Sequence, residues 1–131
     1  MAEIKISDLS IGDWVEIDGA VTKVWYLSED SEVNDKTYDW VKPIPLTPEI
    51  LEKNGFDAPK AKVWNDSWYW SNRKDVALEL WESFGLWYME IVKKEQRSGL
   101  QSNRKLGIGF KYVHQLQHAL RLAGVGKEIE L

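Results

Sequence analysis

The chain has 131 residues, 44% hydrophobic and 29% charged, with a net charge of −4 and no cysteine. That balance is globular, which excludes a disordered chain, and the missing cysteine excludes disulfides, thiolate catalysis and thiolate metal sites. No run reaches the ~20 apolar residues of a membrane span, and the opening MAEIKISDLS has neither the basic start nor the apolar stretch of a secretion signal, so a cytoplasmic protein without membrane contact is expected. A single domain over residues 1–131 fits this length.

Ile4 and Ile6 alternate with Lys5 in a short extended start. Asp13–Ile17 and Ala20–Leu27 flank Asp18-Gly19, whose residue types suit the two left-handed positions of a type I′ hairpin turn. The polar tract Ser28–Lys36 reads as a loop, and Thr37–Val41 as a third strand ended by Pro43 and Pro45. Thr47, Pro48 and Glu49 are the N-cap, first position and first turn of a short helix over Pro48–Asn54. Leu46 can staple to Leu51, and Gly55 followed by Phe56 supplies the left-handed stop.

Lys62–Trp70 (KVWNDSWYW) is strand-like and aromatic. Val76–Glu82 reads as a strand joined through Ser83-Phe84-Gly85 to Leu86–Lys93. A helix from an Asp75 cap to a Gly85 stop competes, since Val76, Ala77, Leu80, Trp81 and Phe84 share a helical stripe. Gln96–Gly107 is a polar, basic loop. The final helix runs Tyr112–Ala123 to Gly124, with Tyr112, Val113, Leu116, Ala119, Leu120 and Ala123 on the side that covers a sheet. The fold expected is α+β: a twisted, largely antiparallel sheet of five to seven strands, a short middle helix and a C-terminal helix across one face.

Charge is divided unevenly. Residues 1–60 carry 13 acidic and 6 basic side chains, and residues 61–131 carry 8 and 11. The acidic half argues against a general nucleic-acid coat, while Lys93, Lys94, Arg97, Arg104, Lys105 and Lys111 leave room for one anionic contact.

The stretches DLSIGDWV at 8–15, PIPLTPEILEKNGF at 43–56 and KYVHQLQHALRLAG at 111–124 together resemble a family of small proteins of phages, prophages and other mobile elements of gut anaerobes. That resemblance implies a genomic setting and transfers no catalytic residue. The L-x-x-G-D-W-V start with its tight hairpin is also similar to the opening of an SH3-like small barrel.

His114 and His118 stand at i, i+4 on the last helix, a spacing that can serve one metal, but Gln115 occupies the place of the zinc-protease Glu. Arg121 beside them disfavours a cation, so both histidines read as solvated and no metal or other cofactor is expected. Trp64, Trp68 and Trp70 share strand parity, and Tyr69 points the other way; rings in such a row either stack a ligand or fill a core. Candidate ligand contacts are Trp68, Tyr69, Arg73, Lys94, Arg97, Arg104 and Lys105. The function expected is a non-catalytic binding protein for an anionic aromatic ligand, a nucleotide-type signal or a nucleic-acid strand. Its rivals are a protein-interaction or virion accessory protein with an aromatic interface, engaging a host protein or further copies of itself, and a metal-dependent hydrolase using the two histidines.

Overall fold

The computed structural model describes residues 8–28, 32–34, 36–37, 40–59, 67–72, 74–94, 101–105 and 109–131, with the backbone alone at 36–37, 92–94 and 101–105. Asp18 and Gly19 take φ of 52° and 80°, the conformation a type I′ turn requires, and join β1 (Trp14–Ile17) to β2 (Ala20–Lys23) with Ile17 opposite Ala20. The tract expected as a loop contains a strand: β3 (Glu32–Val33) pairs with β4 (Lys36–Thr37) around Asn34, at φ 51°. The Asn34 side-chain oxygen accepts from the Trp25 and Tyr26 N–H groups at 2.7 and 3.1 Å, which ties this ladder to the end of the first hairpin. β5 (Val41–Pro43) pairs with the free edge of β1, giving the order β2-β1-β5. The expected third strand, Thr37–Val41, is therefore divided between two sheets, and residues 38–39 lie outside the described residues. Leu9, Val15, Ile17, Val24, Val33 and Val41 form a small buried core on one side of this sheet.

The helix α1 (Pro48–Lys53) forms as its ends dictate. Thr47 Oγ1 accepts from the Ile50 N–H at 3.4 Å, and Pro48 occupies the first turn, where its missing N–H costs nothing. Gly55 is left-handed at φ 83°; its N–H reaches Glu52 O at 3.1 Å, and the Phe56 N–H reaches Leu51 O at 3.0 Å, a complete Schellman stop. Leu46, Leu51 and Phe56 are buried in one core, so the short helix is anchored by packing as well as by caps.

β6 (Trp68–Ser71), β7 (Val76–Ser83), β8 (Leu86–Lys94) and β9 (Gln101–Lys105) form a four-stranded antiparallel sheet in chain order. The strand reading of Val76–Glu82 is the one adopted. Phe84 and Gly85 turn the hairpin at φ 53° and 81°, close to the values at Asp18-Gly19. The expectation of a loop over Gln96–Gly107 is corrected at β9, which pairs with β8; residues 95–100 and 106–108 lie outside the described residues.

α2 (Val113–Leu122) begins after Tyr112, with Gln115 Oε1 accepting from the Lys111 and Tyr112 N–H groups at 2.8 and 3.1 Å. It stops as α1 does: Gly124, at φ 65°, donates to Arg121 O at 3.1 Å, and Val125 donates to Leu120 O at 3.3 Å. Val113, Leu116, Leu120 and Ala123 enter a larger core with Leu78, Leu80, Trp87, Met89 and Ile91 of the four-stranded sheet. Backbone pairs lace the parts together. Leu46 N–H to Lys111 O and Val113 N–H to Ile44 O, each 2.8 Å, join α2 to the segment after β5, while Trp87 and Phe110 exchange bonds of 2.7 and 2.9 Å. The architecture is α+β and antiparallel. Its described strands are divided among sheets of three, two and four, rather than placed in one sheet of five to seven. Among the described residues no helix is long and apolar enough to cross a membrane.

Candidate functional site

Side chains alternate across a strand, so one residue in each pairing row fixes the face of all. Leu78, Leu80, Met89 and Ile91 define the inner face of the four-stranded sheet. Trp68 stands opposite Leu80 and Trp70 opposite Leu78, and both rings pack against the larger core. Trp68, a candidate ligand contact, is therefore committed to packing. Tyr69 lies on the other face, 42% exposed.

The outer face has a composition that its sequence hides. Tyr69 is opposite Glu79, Glu79 opposite Glu90, and Glu90 opposite Lys105, so one row crosses all four strands. The next row toward the turn pairs Trp81 with Tyr88, whose rings stack 6.1 Å apart at 20°. Neither ring joins either core. Directly opposed like charges destabilise a sheet, and no cation among the described side chains pairs with Glu79 or Glu90. At the hairpin tip Phe84 is fully exposed, a bulky residue held in a left-handed conformation that Asn or Gly would adopt with less strain.

Of the remaining candidate contacts, Lys94, Arg104 and Lys105 are described by their backbone register alone. Arg104 stands opposite Ile91 and Lys105 opposite Glu90, so these neighbours occupy register positions on alternate faces of the sheet. Lys94 pairs with Gln101 at the far end of the same ladder. Arg73, Arg97 and Trp64 lie outside the described residues. Elsewhere, Trp25, Tyr26 and Trp40 are also exposed, with the Trp25 and Tyr26 rings 6.0 Å apart.

A second constellation was not legible as a site. Asp13 is wholly buried, yet its carboxylate is fully used: Oδ1 accepts from Arg121 Nη1 at 3.0 Å, and Oδ2 meets His118 Nε2 at 2.6 Å and the Ser10 N–H at 2.8 Å. Gln117 is buried beside it, donating to Gly12 O at 3.0 Å and accepting from the Trp14 N–H at 2.8 Å. His114, Gln117, His118 and Arg121 follow the spacing i, i+3, i+4, i+7, so one stripe of α2 docks on the loop Ser10–Trp14. The reading of both histidines as solvated is corrected: His114 is buried, stacked on Tyr112 at 5.8 Å and edge-on to His118 at 5.7 Å. Its Nδ1 has no hydrogen-bond partner among the described residues. Burial lowers the His114 pKa, with Asp13 opposing the shift, His118 adding to it and Asp8 opposing it. Among the described residues no three His, Cys, Asp or Glu side chains are grouped to hold a metal.

What hid this constellation is the assumption that the polar arc of an amphipathic helix faces water. No protein-family model, no curated protein and no solved structure matches the chain.

Proposed function

We propose that the chain is a non-catalytic binding protein that engages a protein partner through the outer face of its four-stranded sheet, with a cationic side chain of the partner, arginine above all, as the group recognised. One observation carries this reading: the opposed carboxylates Glu79 and Glu90 lie beside the stacked Trp81–Tyr88 pair. A guanidinium can lie over an aromatic face and reach a carboxylate with its fork at the same time. It would also relieve the repulsion between the two opposed glutamates. Phe84, projecting from the same hairpin, supplies an apolar anchor of the kind that contributes strongly when buried in a partner.

This face suits an anionic aromatic ligand poorly, because Tyr69 has Glu79 as its cross-strand neighbour. The resemblance to proteins of mobile elements supports a host or virion protein as the partner. The test is calorimetric titration with a short arginine-rich peptide and its citrulline counterpart, which has the same shape and no charge. Binding of the arginine peptide alone is expected, weakened at least tenfold in Glu79→Gln and Glu90→Gln. Glu79→Gln should keep or slightly raise the denaturation midpoint, because it removes a like-charge pair, while Glu90→Gln also gives up the carboxylate opposite Lys105. A lowered midpoint in Glu79→Gln would show that its carboxylate serves the fold, and equal binding of the two peptides would refute the charge recognition.

A further inference from the structure

We infer that the concavity between the loop at Ser10 and the last turn of α2 is a second binding site, for a small molecule with an oxyanion head, a phosphate or a carboxylate, on a partly apolar body. The concavity measures about 370 Å³ and is lined, among the described residues, by Ser10, His118, Arg121 and Leu122. It shares no residue with the sheet face, and its failure leaves that reading standing.

Three features make it suited to an anion. Arg121 and His118 are anchored from beneath by a carboxylate that is itself wholly buried, so both groups are held side by side in fixed positions. Their side chains remain 36% and 30% exposed, and each uses only one nitrogen on Asp13: Nη1 of Arg121 and Nε2 of His118. The other guanidinium N–H groups make no hydrogen bond among the described residues. A guanidinium fixed by a partner on one edge presents the other edge as a preorganised fork for two oxygens of a ligand, with little rotamer entropy left to lose.

Gly12 contributes by what it lacks. A Cβ there would meet Arg121 Nη2 at 3.2 Å, and the backbone is left-handed at φ 93°, so glycine lets the guanidinium lie against the loop. Asp13 offsets the charge of Arg121 from beneath, so recognition of an oxyanion rests on the directed N–H groups of the guanidinium. Leu122 is 88% exposed, an isolated apolar wall at the rim that fits the body of a ligand. The volume lies in the range of small-ligand clefts.

The experiment is an NMR titration of the full chain with inorganic phosphate, adenosine monophosphate and acetate. Saturable shifts are expected at the Arg121 side-chain N–H and the Ser10 amide. Phosphate binding as tightly as the nucleotide would assign recognition to the head alone; a tighter nucleotide would bring in the apolar wall, and acetate binding alone would identify a carboxylate site. Because Leu122 is exposed, charge can be placed at the rim without disturbing the fold. Leu122→Glu should weaken binding at least tenfold and Leu122→Gln less than twofold, while Arg121→Lys keeps the charge, loses the fork and should fall between them. No saturable shift with any of the three up to about 10 mM, where even a millimolar site is mostly filled, overturns the inference. So does binding that Leu122→Glu leaves unchanged.

Discussion

The two flanks of α2 are buried by opposite means. One flank, Val113, Leu116, Leu120 and Ala123, enters the larger core without a polar atom in play. The other, His114, Gln117, His118 and Arg121, meets the loop Ser10–Trp14 through a buried carboxylate and a buried amide. Apolar contacts are non-directional, so the first flank should respond to volume. Hydrogen bonds in a low dielectric are directional and costly to leave unmade, so the second should respond to the identity of single atoms.

Substitution can separate these two behaviours. Leu116→Ala should have the largest effect, about 3–4 kcal/mol in denaturant unfolding, from lost transfer and a residual cavity. Asp13→Ala should cost about 3 kcal/mol, because it strips the shared acceptor from His118, Arg121 and the Ser10 N–H. Near-isosteric changes draw the contrast more sharply. Leu116→Met should cost less than ~1.5 kcal/mol, while Asp13→Asn should remain close to Asp13→Ala, since an amide cannot accept from three donors at both ends. Equal tolerance of the two isosteres would erase the distinction between the flanks.

Gln117→Ala leaves the Trp14 N–H and the Gly12 carbonyl unpaired and should cost ~2 kcal/mol. Gly12→Ala should cost about 1 kcal/mol through its left-handed backbone and the guanidinium above it. The smallest effect is the dependence on pH. Burial lowers the His114 pKa in the folded protein from its ordinary 6.5, so the unfolded chain binds that proton more readily. Stability at His114 is therefore intact above pH 6.5 and declines as pH falls below it, toward the lowered folded-state value. Unfolding midpoints measured from pH 8 to pH 5 check this against His114→Phe, which keeps the ring stack and cannot titrate. An unchanged pH profile in that variant would assign the decline to other groups.

The sequence discloses local structure wherever a residue type is required by the backbone. Asp18-Gly19 and the run from Thr47 to Gly55 are of this kind, and both form as read. Phe84 shows the reverse case: the hairpin was legible from the flanking strands, while its turn places a bulky ring where its type is unfavourable. β9 was missed because QSNRK has no strand-forming pattern; the backbone of β8 supplies the reason for it to extend, and an edge strand tolerates polar residues. Val33 was hidden because one buried side chain in a polar tract carries no period. The division into three sheets was equally invisible, since alternation tells which residues share a face and not which strands are neighbours. For the candidate site, parity correctly put Tyr69 on the face opposite Trp68 and Trp70. It could not show that Glu79 and Glu90 come to stand beside that ring, nor that Asp13, more than 100 positions away in sequence, binds His118 and Arg121.

The segment after α2 has a consequence for how the chain is made. Asn54, which caps α1, donates to Glu130 O at 2.9 Å and accepts from the Glu130 N–H at 2.7 Å. The Trp14 indole donates to Ile129 O at 2.7 Å, and Ile129 itself is buried in the larger core. The first strand and the middle helix thus obtain their polar partners from residues 129–130. During vectorial synthesis these elements emerge from the ribosome long before the segment that completes them, so they wait with an unpaired indole and an open apolar surface. Contacts of such long sequence separation close late and slowly. The order in which translation delivers this chain runs against the order in which its fold can be finished.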